Sequence, residues 1–161
     1  ITSNEAHYFY PFVINPLAYK EFKELGVTEG YTEEDYQNFK RTALVSATAF
    51  ATNAKEGCEN EFALFVETEP DLYLPNLTEY ISFDKGEKKN KINLEQCAEF
   101  LQVLDSRIKS VEIYYNPYTP IYIPIFYIKL FYFIFKRNKE CFHIPLFNNN
   151  LLFKSTLAKY P

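Results

Sequence analysis

Thr32–Glu67, TEEDYQNFKRTALVSATAFATNAKEGCENEFALFVE, is the stretch whose reading decides the fold. Thr32 followed by Glu33, Glu34 and Asp35 marks a helix start. A hydroxyl at the N-cap accepts from an early backbone N–H, and carboxylates in the first turn sit at the positive end of the helix dipole. Tyr36, Phe39, Ala43, Leu44, Ala47 and Phe50 then recur at helical spacing, which predicts a helix over 32–51. Its alanines allow close packing on a sheet. Lys40 and Arg41 fall off that stripe and are expected to face solvent or a ligand. The pattern is lost by Thr48–Glu61, where Thr52, Asn53, Lys55, Gly57 and Asn60 mark a loop. Phe62–Val66, FALFV, reads as a buried strand. The loop between helix and strand, Ala49–Glu61, is the best candidate for a working surface.

Outward from this stretch the chain alternates in the same way. Glu5–Ile14, EAHYFYPFVI, is aromatic and β-branched on both faces, which suits a covered strand, although Pro11 removes a ladder donor. His7 is expected to pack within that sheet. Asn15-Pro16 ends the strand, Leu17–Leu25 forms a helical turn or two, and Gly26 stops it. Beyond Glu69-Pro70-Asp71, the segments Leu72–Pro75 and Thr78–Phe83 read as short strands, and Lys85–Lys91 as a charged turn. Asn93 caps a second helix with Gln96 placed as in a capping box, and Leu94, Cys97, Leu101, Leu104 and Ile108 make its apolar stripe. Ser110–Tyr115 is a strand with Val111, Ile113 and Tyr115 on one face.

The resulting order is β (6–14), α (32–51), β (62–67), β (78–84), α (93–108), β (111–115). That is the βαββαβ order of an α+β, ferredoxin-like or RRM-like fold, an antiparallel four-stranded sheet with two helices on one face. The open face would need a partner: another domain, a second copy, or RNA.

Composition narrows the function. The chain has 161 residues, 19% of them aromatic, contains neither Met nor Trp, and begins Ile-Thr-Ser, so it is expected to lack an N-terminal part. Residues 1–116 carry 11 Lys/Arg against 20 Asp/Glu, net −9, whereas residues 117–161 carry 6 against 1, net +5. This shift predicts a domain over 1–116 and an aromatic-rich basic tail over 117–161, out of frame or not independently folded. The acidic first part argues against purely electrostatic nucleic-acid binding and leaves room for a local basic groove. Cys58, Cys97 and Cys141 form no CxxC pair and suit a reducing compartment, with Cys97 as a buried apolar side chain. Ile121–Phe135 is apolar over 15 residues but short of the ~20 that a membrane span needs, and Pro124 interrupts it, so no membrane role is favoured and the cytoplasm is expected. There is no phosphate-binding glycine loop, no HExxH and no supported nucleophile set, and His7 and His143 form no metal pair. The expectation is a protein without catalysis, cofactor or metal.

The segments HYFYPFVINPLAYKEF (7–22), TEEDYQNFKRTALVSATAF (32–50), NEFALFVE (60–67), LPNL (74–77) and VEIYYNP (111–117) resemble a CRISPR-associated family. It is the DevR-type RAMP family of backbone subunits in type I, I-B-like, interference complexes. The resemblance covers about residues 5–117, as the C-terminal portion of such a protein. It implies an RRM-like core that polymerises along guide RNA, with copies of itself and other complex subunits as partners. Target DNA would be met through base pairing, in an antiviral role. The family's polar and basic segment after the long helix maps onto Thr48, Thr52, Asn53 and Lys55, joined by Arg41. This sequence departs in lacking an arginine in the loop and in carrying Glu56, Glu59 and Glu61 there. Two other readings stay open: a ferredoxin-like protein–protein interaction module without RNA, and a membrane-associated protein using 121–135.

Overall fold

In the computed structural model, which describes residues 6–27, 30–50, 57–116, 118–119, 121–124 and 142–143, the first helix starts where its cap predicts. α1 spans Glu33–Ala49. The Thr32 hydroxyl accepts from the Asp35 N–H at 3.2 Å, and the Asp35 carboxylate accepts from the Thr32 N–H at 2.9 Å and from its hydroxyl at 2.7 Å. This reciprocal box satisfies donors that a helix start otherwise leaves open. The hydrogen bonds from Thr32 hold the Asp35 carboxyl below its ordinary value of 3.8. Their contribution is therefore present above that value and is lost as pH falls through the lower folded-state pKa. Asp35→Ala is expected to lower the thermal midpoint at neutral pH. The gap to wild type should begin to narrow as the pH drops below about 4 and close only once it passes below the lowered folded-state pKa, where the carboxylate is protonated in both states. Equal midpoints at neutral pH by circular dichroism would rule the box out as a stabilising contact.

Ahead of α1, Pro16–Leu25 forms a 3-10 helix that Gly26 ends in the left-handed region at φ 86°, as expected. The strands are β1 (Phe62–Thr68), β2 (Ser82–Asp84), β3 (Asn90–Asn93), β4 (Ile108–Tyr115), β5 (Ile121–Tyr122) and β6 (Phe142–His143), with α2 at Glu95–Val103. They form two three-stranded sheets, ordered β1-β4-β6 and β2-β3-β5. β1 pairs with β4, and β2 with β3, antiparallel; the short β5 and β6 add parallel edges. The chain is thus α+β, with two helices and small sheets compatible with the ferredoxin-like, RRM-like order.

The core lies between β1/β4 and α2. Register pairs Leu64 with Ile113 and Val66 with Val111, which puts all four on one sheet face. Leu94, Cys97, Ala98 and Leu101 of α2 and its cap, all fully buried, join Val111 and Ile113 in one cluster. Leu94, Cys97 and Leu101 are the first part of the predicted stripe, joined by Ala98; Leu104 is the half-buried C-cap, and Ile108 opens β4 instead of continuing the helix. Burial pushes the Cys97 thiol up to about 12, so it packs as a small apolar side chain rather than a reactive thiolate.

Four local expectations need correction. Residues 6–15 make no ladder in the described structure; Pro11 lacks a donor, and Tyr8, Phe12 and Val13 are 75%, 67% and 84% exposed. Leu77–Tyr80 is a 3-10 turn rather than strand, because the Asn76 side chain accepts from the Thr78 N–H. Ahead of α2, Asn93 accepts from the Glu95 N–H at 2.9 Å, but the cap position falls on Leu94 and no box with Gln96 forms. Finally, α2 covers the Leu64–Ile113 face, whereas α1 reaches Glu112 on the opposite face through Lys40. The helices therefore address opposite faces of the β1/β4 pair, where a single covered face was expected.

Candidate nucleic-acid interface

α1 has one half-buried face and one exposed face, and the dividing line is not where residue type alone puts it. Tyr36, Phe39, Ala43, Leu44 and Ala47 are half-buried, as the stripe predicts, while Phe50 at the C-cap is exposed. Lys40, expected outside, is 6% exposed. Its Nζ donates to Glu112 Oε1 at 2.6 Å and lies 4.7 Å from the centre of the Tyr36 ring. The Tyr114 hydroxyl donates to the second Glu112 oxygen at 2.8 Å. Glu112 projects from β4 on the face away from the core, so the lysine has a fixed counter-charge to fold against.

This polar cluster raises the neighbouring phenols. Burial first, then the Glu112, Glu67 and Glu33 carboxylates, pushes Tyr36 up to about 12, and burial with the Glu112 hydrogen bond raises Tyr114 further. The folded state favours both neutral phenols, so their contribution is full below the ordinary value of 10.0 and is lost as pH rises toward the folded-state values. Alkaline titration should show some of the 14 tyrosines ionising only together with loss of the circular-dichroism signal. Fourteen tyrosines titrating normally in an intact fold would contradict this.

The exposed face is where the candidate residues lie. Arg41, Val45 and Thr48 follow at i, i+4 and i+7 and are all exposed, so Arg41 and Thr48 form a line about 10 Å long on one side of α1. The Arg41 guanidinium donates to Asn38 Oδ1 one turn back, and Thr48 Oγ1 accepts from the Asn60 N–H at 3.2 Å. Thr52, Asn53 and Lys55 lie outside the described residues. Of the loop glutamates, Glu61 is taken up by His7, whose Nδ1 donates to Glu61 Oε2 at 2.8 Å while its ring lies 4.2 Å from that of Phe83. His7 is thus packed and partnered, but by side chains rather than within a ladder.

Asn60 is the residue that sequence reasoning missed. Its Oδ1 accepts from the Ala47 N–H at 2.8 Å and its Nδ2 donates to the Ala43 carbonyl at 2.8 Å, so one amide clips the loop's end onto α1. An amide carries a separate acceptor oxygen and donor nitrogen on one side chain. Loop composition was its only sequence signal. Asn116 donates to the Asn60 carbonyl at 3.4 Å. Leu44, Val45, Thr48, Ala49, Asn60 and Asn116 line a groove of about 240 Å³ beside the Arg41–Thr48 line.

Other chemistry finds little footing among the described residues. No group of three His, Cys, Asp or Glu side chains could hold a metal ion there, and no helix there is long and apolar enough to cross a membrane. Of the apolar segment 121–135, only 121–124 are described. No family model matches the chain, and no curated protein matches its sequence.

Proposed function

We propose that this chain is a non-catalytic backbone subunit of an RNA-guided interference complex in the cytoplasm, holding guide RNA by its phosphates. Its partners would be further copies of itself and other complex subunits, with target DNA engaged through base pairing rather than read by the protein. One observation supports the reading above the others: Arg41 and Thr48 share an exposed face of α1, and Thr52, Asn53 and Lys55 follow within seven residues of Thr48 in the sequence. A donor line on a rigid helix suits backbone tracking, which needs positioned charge and hydroxyls but no base-edge contacts. Arg41→Gln is expected to weaken single-stranded RNA binding equally for unrelated sequences and to make the salt slope shallower by about 0.7, one phosphate's share. The substitution leaves the core untouched, since Arg41 is exposed and hydrogen-bonds to Asn38 on its own helix. Unchanged binding would remove α1 from the interface.

A second reading, a protein–protein interaction module, draws on a different observation. Tyr8, Phe9, Tyr10, Phe12, Val13 and Ile14 are all exposed along a stretch without a ladder. Exposed apolar stretches of this kind mark interaction surfaces. Sedimentation with and without RNA separates the two readings: concentration-dependent self-association indifferent to RNA supports the module.

A further inference from the structure

Four of the described basic side chains are answered locally by carboxylates. Lys40, Lys91, Arg107 and Lys109 each lie within 4 Å of a carboxylate, on Glu112, Asp84, Asp71 and Glu69 respectively. The tip of the β2–β3 hairpin is different. Lys85, Lys88 and Lys89 are exposed, and among the described residues no carboxylate comes within that reach. Three unanswered cations within five residues stand in a region whose net charge is −9.

The tip is also built to hold its shape. The Gly86 N–H donates to Oδ1 of Asn90, which is 5% exposed, and a Cβ at Gly86 would run into the Lys89 carbonyl. The turn therefore needs glycine at that position and is tied to a buried amide, so the lysines do not have to be gathered before they bind.

We propose that the Lys85–Lys89 tip is a second phosphate-backbone contact for single-stranded RNA, distinct from the α1 line. It rests on the RNA-binding reading above and adds a site to it. Lysine supplies point charge without the planar fork of arginine, which suits sequence-independent contact with phosphates. Residues 84–91, DKGEKKNK, contain no apolar side chain to enter a bilayer, so the tip is ill-suited to a lipid surface.

The test uses the whole chain, a single-stranded oligouridylate probe and a salt series, with Lys85→Gln/Lys88→Gln/Lys89→Gln, the matching triple arginine variant, and Arg41→Gln. The triple glutamine variant should make the slope of log affinity against log salt shallower by about 2, three contacts at ~0.7 each, and the arginine variant should restore it. An unchanged slope in a wild type that binds overturns the tip and leaves the α1 reading intact. A change in the triple variant but not in Arg41→Gln supports the tip and removes the α1 line. Absence of wild-type binding at low salt overturns both. Loss of flotation with phosphatidylserine-containing vesicles, with RNA binding unaltered, overturns the proposal in favour of a lipid surface.

Discussion

Lys40→Ala is expected to destabilise the fold by about 3 kcal/mol, while Lys40→Met combined with Glu112→Leu is expected to stay close to wild type. The lysine and glutamate side chains are 7% and 17% exposed and their charged atoms are 2.6 Å apart. Two such charges cost much to remove from water, and their attraction and hydrogen bonds roughly offset that cost. Truncating the lysine keeps the cost on Glu112 and leaves it only the Tyr114 hydroxyl and partial water. That residual support puts the loss at the lower end of the range for broken buried pairs. Replacing both partners with apolar groups removes the cost together with the attraction. Urea denaturation of Lys40→Met, Glu112→Leu and the double variant yields the coupling directly. A Lys40→Ala protein as stable as wild type would show that α1 is not held to β4 by this pair.

Leu101→Ala is expected to cost about 3 kcal/mol, within the span known for buried leucines. Leu101 is fully buried in the cluster between α2 and the β1/β4 pair. Its neighbours one turn back, Cys97 and Ala98, are small and also fully buried, so they offer little to close the void. Val103, two residues on, is 84% exposed, and Val103→Ala should change stability by less than about 0.5 kcal/mol. Similar losses for both variants would displace the core from that face of α2.

The elements legible in the sequence were those governed by nearby residues. Thr32 and Asp35 meet across three positions, so the start of α1 was readable. The stripe Leu94–Cys97–Leu101 needs only helical geometry. What escaped depends on distant partners. Lys40, read as falling off the stripe, is buried on the same side of α1 as Tyr36, Ala43 and Ala47, and its burial requires Glu112, 72 residues away. β3 carries one apolar core residue, Ile92, in a polar run, and its place is set by pairing with β2. The strand reading of 6–14 followed apolar content, although a ladder also needs an edge to accept it. Asn60 shows no pattern at all, because its importance lies in the helix it touches.

The proposed site combines one rigid part with one set of loop residues, and this shapes how binding should respond. Arg41 and Thr48 are positioned by α1, whose packing rests on the Lys40–Glu112 pair. Lys40→Ala should therefore weaken RNA binding through the fold, whereas Arg41→Gln should do so without altering stability. The most direct measurement is the affinity of the full chain for two single-stranded RNAs of unrelated sequence, followed by fluorescence anisotropy across a salt series. Backbone tracking predicts equal affinities for the two and a log affinity that falls linearly with log salt. Absent binding at low salt, affinity indifferent to salt, or strong preference for one sequence would contradict it.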